Sequence, residues 1–387
     1  MRFKRFLKKH SPEVKAILSG GMPEFFYGRR YFRDIPVFCL HSARLPDFKN
    51  LLGFLCEYGY QTLDSTELLE RLEDKNYKNN GKEIVLTFDD GMASVWTIVF
   101  PLLHRYNKKV ICFLLPGLIG SSTAKSKTIA DDLSAEESEQ LLLRDYSTNP
   151  LCSWPEIEQM HRSGLVDFQS HGMFHRRVAN SSRIVDFIHP KFDPYHFGNL
   201  NVPAYVRNGA LCNDPVLGHP VYRNSPMFSV EKRFEDDLRV RDACADLVAQ
   251  AGGKKFFLDP QWRTKLLTRV DQTKHQSKLG DEMFVSVEDD KAAELAQSKA
   301  IIEQKLDKEV HHFCYPFFAG SATSTALAAQ AGYKALHLGA TIGYRVEETP
   351  GAPYSITRVQ EEYLLDLPGY KGLVSTFRQK LFQSETW

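Results

Sequence analysis

No stretch of the 387 residues reaches the ~20 consecutive apolar positions that a bilayer-spanning helix needs, so no transmembrane segment is expected. A surplus of charge is also missing: 49 basic residues stand against 48 acidic ones, leaving +1. Such a chain has no global field to gather nucleic acid or an acidic polymer, and no nucleic-acid partner is expected. Close cysteine pairs are absent too. Cys39, Cys56, Cys112, Cys152, Cys212, Cys244 and Cys314 are scattered without a CxxC, several of them in apolar runs such as VFCLH and VICFLL. That distribution suits buried, reduced thiols better than a disulfide framework or a zinc knuckle. The N-terminus, MRFKRFLKKH, is basic yet lacks the apolar run of a signal peptide. A cytoplasmic protein with a solvated basic end is the expectation. Weak contact with an anionic membrane surface through Arg2, Lys4, Arg5, Lys8 and Lys9 is the sharper alternative.

What is present is the material of a globular α/β protein. At 43% hydrophobic and 25% charged, the chain can bury a large core. Its length is great for one domain but is reached by α/β barrels that carry insertions. From Ile35 short apolar runs alternate with amphipathic stretches. IPVFCLH reads as a buried strand, PDFKNLLGFLCEYGY as a helix, and DSTELLERL as a second helix capped by Asp64 or Ser65. EIVLTF (83–88) and VICFLL (110–115) are continuous apolar strands of the kind a parallel sheet buries on both faces. A helix through VWTIVFPLLHRYN joins them into a βαβ unit. WPEIEQMHRSGL, VDFQS, VHHFCYPF (310–317) and KALHLGA continue the alternation, which predicts a parallel α/β barrel or a doubly wound sheet. Between about 181 and 285 the alternation fails. That segment, rich in Pro, Asn, Asp and His, is too long for a plain loop and predicts an insertion folded over one end of the barrel. Its own helices are expected at about 231–251 and 260–270. The expected organisation is an arm (1–33), a barrel (34–180 and 286–365), the insertion (181–285) and a C-terminal helix or tail (366–387).

Two spacings carry chemistry. TFDDG (87–91) puts Asp89 and Asp90 at the C-terminal end of a buried strand, the edge where α/β folds place their sites. Strand side chains alternate, so the two carboxylates reach one site only if the chain turns there, which Gly91 permits. The same tripeptide also serves as an ordinary turn and helix cap. SHGMFH (170–175) places His171 and His175 four apart; on a helical turn the two imidazoles face the same way and can share a metal ion. One carboxylate and two imidazoles leave coordination positions open, as a catalytic site requires. A metal there would polarise a carbonyl, and the spare carboxylate would act as general base. Hydrolysis of an unactivated amide fits that set.

The order TFDDG, SWPEIEQM…GLVDFQSHGMFH, HFCYPF…GYKALHLGA and ITRV resembles the polysaccharide deacetylases of the NodB type (carbohydrate esterase family 4), over roughly 35–120, 150–178 and 300–362. The resemblance implies a distorted (β/α)7-type barrel with a large insertion between the second and third motifs. It implies Asp89 as catalytic base, and Asp90, His171 and His175 as ligands of a divalent metal, usually Zn²⁺. It places an oxyanion-binding backbone N–H at Tyr315 and nominates His337 as catalytic acid, with His189, His196 and His219 as rivals. Arg358 of ITRV then orients Asp89 or forms a surface ion pair, and His41 lies beneath the site. The third motif departs from many members, which have an Arg before its Pro where this chain has Cys314-Tyr315-Pro316. The implied activity is removal of the N-acetyl group from an amino sugar in a polysaccharide, oligosaccharide or glycan precursor. The alternatives are an amidase of the same fold acting on a cyclic imide, ureide or small amide, and a non-catalytic glycan-binding protein.

Overall fold

A computed structural model of the chain describes residues 35–132, 134–147, 149–192, 205–207, 210–212, 216–276, 283–339, 345–347 and 349–367. The expected arm (1–33), His196 and all but 366–367 of the expected tail lie outside the described residues.

The apolar runs form strands β1 (Val37–Leu40), β2 (Glu83–Phe88), β3 (Val110–Leu114), β4 (Val166–Ser170), β5 (His312–Cys314), β6 (Ala335–Leu338), β7 (Tyr354–Thr357) and β8 (Val359–Gln360). They are hydrogen-bonded in the order β7-β6-β5-β4-β3-β2-β1-β8, each neighbouring pair parallel. β7 and β8 stand at opposite ends of that order, yet only Arg358 separates them in sequence. One split stave therefore brings the sheet back to its start. Eight parallel strands make a nearly closed barrel with seven staves, the distorted (β/α)7-type architecture expected from the sequence. Every residue of β2 and β3 is buried, as continuous apolar runs in such a barrel must be.

Helices α1 (Leu45–Glu57), α2 (Ser65–Glu73), α3 (Phe100–Tyr106) and α4 (Trp154–Arg162) follow β1 to β3 in the chain. The start of α2 is Asp64: its carboxylate accepts from the Glu67 N–H and Glu67 accepts from the Asp64 N–H, both at 2.9 Å. Ser153 and Glu156 cap α4 in the same reciprocal way. Each such cap is worth about 1 kcal/mol. The single helix expected through VWTIVFPLLHRYN begins as a π-helical turn at Val95–Val99 before α3. The expected strand 310–317 narrows to β5. Beyond it the Tyr315 N–H reaches the His337 carbonyl, and Phe317 and Phe318 take left-handed φ of 56° and 62°, which a strand cannot continue through.

The chain divides into two compact units, one comprising 1–173, 294–318 and 328–387 and the other 174–293 with 319–327. The second has its own secondary structure. Arg177–Phe187 pairs antiparallel with Pro220–Pro226, and Lys232–Glu235 with Met283–Ser286. Helices Leu238–Gln250 and Trp262–Gln276 bury Val240, Cys244, Leu266 and Val270 against Phe187. The first of these starts at 238 rather than 231 because Lys232–Glu235 is a strand.

Candidate active site

Asp89 is the first residue past β2, held there by its N–H donating to the Leu40 carbonyl at 2.9 Å. The chain then turns sharply: Asp90 and Gly91 have φ of 68° and 71°. Two successive left-handed residues break the strand alternation, so both carboxylates are carried into the interior, each 1% exposed. A left-handed backbone at a non-glycine residue is costly and is kept where surrounding structure demands it.

Arg358, the residue that splits the closing stave, reaches across to this turn. Its Nη1 and Nη2 donate to Asp89 Oδ1 and Oδ2 at 2.6 and 2.8 Å, and Nη1 also donates to Thr87 Oγ1 at 3.0 Å. Arg358 is 0% exposed, which rules out the surface ion pair entertained from the sequence. Burial alone would raise the Asp89 carboxyl; the guanidinium overcomes it and holds the group well below the usual carboxylate range. Burial, and then the Asp89 charge, push Asp90 the other way, well above its ordinary value. A divalent cation beside Asp90 would reverse that shift.

His171 follows β4. Its Nδ1 lies 2.8 Å from the Cys314 carbonyl and its Nε2 3.4 Å from Asp90 Oδ1. A carbonyl only accepts, so Nδ1 carries the proton and the Nε2 lone pair faces the carboxylate, the tautomer a metal ligand needs. Burial keeps the ring neutral, its pKa pushed down to about 4. The turn 170–175 is not helical, contrary to the simple reading of its spacing. Gly172 and His175 have φ of 85° and 55°, and Met173 is tied by its N–H to Glu294 Oε2 at 3.1 Å. His175 stands on this turn, and ligand atoms of Asp90, His171 and His175 lie within 4.8 Å of one another. One carboxylate and two imidazoles, all buried and one already in the ligating tautomer, suit a divalent ion.

The remaining nominees are placed differently. Tyr315 is buried, and its backbone N–H is committed to the His337 carbonyl at 3.0 Å. His337 is 0% exposed; its Nε2 is 2.8 Å from His312 Nδ1, and the Phe113 ring lies 4.9 Å away. His41 Nε2 is 3.9 Å from Asp89 Oδ2, with 40% of its side chain exposed. His189 and His219 belong to the second unit. The sequence reading did not single out two thiols at the base: Cys39 Sγ is 3.6 Å from Asp89 Oδ2, and Cys314 Sγ is 3.8 Å from both Asp89 oxygens. Cys39 is the penultimate residue of β1 and Cys314 the last of β5, which is the available signal.

Residues 76–187, which include TFDDG and SHGMFH, match the polysaccharide deacetylase family model. Over 130 residues the chain is 26% identical to a poly-beta-1,6-N-acetyl-D-glucosamine N-deacetylase of Escherichia coli (strain K12), covering 34% of this chain and 17% of that protein. The putative polysaccharide deacetylase YxkH of Bacillus subtilis (strain 168) is 34% identical over 83 residues, 21% of this chain and 29% of its own length. The chain thus spans less than a third of either curated relative. Among solved structures, IcaB from Ammonifex degensii is similar at 16% identity and a TM-score of 0.47, over 88% of this chain and 97% of its own.

Proposed function

We propose that this chain, similar to polysaccharide deacetylases over 76–187, is a metal-dependent hydrolase that removes the N-acetyl group of an amino sugar in a polysaccharide, oligosaccharide or glycan precursor. The observation that carries the reading is the pairing of two functions in adjacent residues. Asp89 is held ionised by Arg358, while Asp90 faces His171 and His175.

Asp90, His171 and His175 would hold the ion, most simply Zn²⁺ given two nitrogens and one oxygen. A divalent cation in that position supplies Lewis acidity, withdrawing electron density from an amide carbonyl and from water. Asp89 takes the proton that water loses as it attacks, a task worth about 10²–10⁴-fold. Arg358 keeps that carboxylate charged and aimed, so it is a positioning residue. His337 remains the proposed proton donor to the departing nitrogen, its ring neutral and hydrogen-bonded to His312. A polymer of N-acetylglucosamine is the first substrate to try, because the Escherichia coli relative is named for one.

The test is release of acetate from N-acetylated glucosamine oligomers and polymers by the metal-loaded protein. Stoichiometric acetate with a free amine on the product supports the reading. A fully loaded wild type that frees acetate from none of them overturns it.

A further inference from the structure

Asp89 is surrounded by more donors than its role as a base requires. Cys39 Sγ, the His41 ring and an Asp89 oxygen lie within 4.8 Å of one another, and none of the two non-carboxylate donors belongs to the Asp90 cluster. Cys314 Sγ approaches the same carboxylate from β5, 3.8 Å from each oxygen. One sulfur, one imidazole nitrogen and one carboxylate oxygen are donors of the kind a soft divalent metal takes. With metal–sulfur bonds of about 2.3 Å and metal–nitrogen or –oxygen bonds of about 2.0 Å, the sulfur–oxygen edge of a tetrahedral site is roughly 3.5 Å and the nitrogen–oxygen edge roughly 3.3 Å. The corresponding separations are 3.6 Å (Cys39 to Asp89) and 3.9 Å (His41 to Asp89), each somewhat longer than its edge. Small side-chain adjustments would bring these donors around one ion.

We propose that Cys39, His41 and Asp89 form a second site for a thiophilic divalent cation, and that its occupancy blocks the base. The Cys39 thiol is buried and donates to Asp89 Oδ2 at 3.6 Å, so binding must expel its proton as the sulfur coordinates. The ion must also loosen the two hydrogen bonds from Arg358 to Asp89. The loss of the Arg358 bonds falls on this site and not on the Asp90 cluster. The second site therefore fills only after the first, and excess metal inhibits where the first equivalent activates. The inhibitory consequence rests on the proposed role of Asp89 as base; the binding does not.

The experiment uses the full chain in a Cys56→Ser background, which removes an exposed cysteine. Protein loaded with one equivalent of Zn²⁺ is titrated with Cd²⁺, reading bound cadmium by elemental analysis and thiolate-to-cadmium charge transfer by ultraviolet absorption. One further equivalent with a charge-transfer band is expected, both lost in Cys39→Ser and in Cys39→Ala. Acetate release should fall about 10²-fold as the band grows, the loss expected when a general base is removed. No second equivalent, no thiolate band, or a band that survives in both Cys39 variants overturns the site. A saturated band with acetate release intact overturns the inhibitory role alone. A protein that shows the band and its dependence on Cys39 but never releases acetate keeps the site and overturns the deacetylase reading instead.

Discussion

The Arg358 guanidinium spans both oxygens of Asp89, at 2.6 and 2.8 Å, and neither residue is more than 1% exposed. Planar, two-point contact of this kind fixes orientation as well as charge. Arg358→Gln should therefore act twice. The Asp89 carboxyl loses its cation while staying buried, so its pKa rises and the acidic limb of the kcat/KM profile moves to higher pH. Breaking a buried pair by removing one partner also costs about 3–5 kcal/mol of stability. Arg358→Lys keeps the charge but not the fork; it should hold the acidic limb near its wild-type position while kcat falls. The pH–rate profile and a urea melt of both variants check this. An unmoved acidic limb in Arg358→Gln would show that Arg358 does not govern Asp89.

The adjacent carboxylates should separate cleanly under mutation. His171→Ala and His175→Ala each remove an imidazole from the Asp90 cluster and should lose metal and turnover together. Asp89→Asn leaves that cluster whole; it should keep one tightly bound ion and lose about 10²–10⁴-fold in kcat. Metal content by elemental analysis beside initial rates of acetate release distinguishes the two patterns. If Asp89→Asn arrived without metal, the roles of Asp89 and Asp90 would have to be exchanged.

These two residues also show how far the chain could be read before its structure. The strand ending in DDG and the two histidines four apart were visible because each is a local pattern. β2 matches the apolar run 83–88 residue for residue. What could not be read locally depends on closure of the barrel. Arg358 lies 269 positions from Asp89, and only a stave split between β7 and β8 brings it inward. Cys39 and Cys314 converge on the same carboxylate from different strands for the same reason. The helical turn expected for SHGMFH failed on backbone grounds, since positive φ at Gly172 and His175 is incompatible with a right-handed helix.

Gly91 should prove intolerant of any side chain. Its φ is +71°, and a Cβ placed there would meet Leu114 Cδ2 of β3 at 2.8 Å. Gly91→Ala combines left-handed strain with overpacking in a wall that is entirely buried, for a cost of about 1–3 kcal/mol. Relief by rotating the turn would also displace Asp90, so metal affinity should weaken along with the urea midpoint. Calorimetric titration with Zn²⁺ reads the second effect independently of the first. Wild-type values for both would mean that Leu114 yields without disturbing the turn.

His312 and His337 face each other inside the barrel with Nδ1 and Nε2 2.8 Å apart, so one ring donates and the other accepts. Burial pushes His312 down to about 3 and His337 well below its ordinary value, so both are neutral in the folded protein. In the unfolded chain each returns to about 6.5. Between those limits the unfolded state binds more protons than the folded one, and stability therefore falls as pH falls below about 6.5. Above that value the pair adds no pH dependence. Each imidazole contributes a slope of at most about 1.4 kcal/mol per pH unit. Metal-free protein melted in urea at pH 5–7, above the main carboxylate range, isolates the histidines. The double variant His312→Leu/His337→Leu should lose less stability over this interval than wild type, whose folded form excludes two more protons. Equal losses would show that at least one of the two rings accepts its proton within the fold.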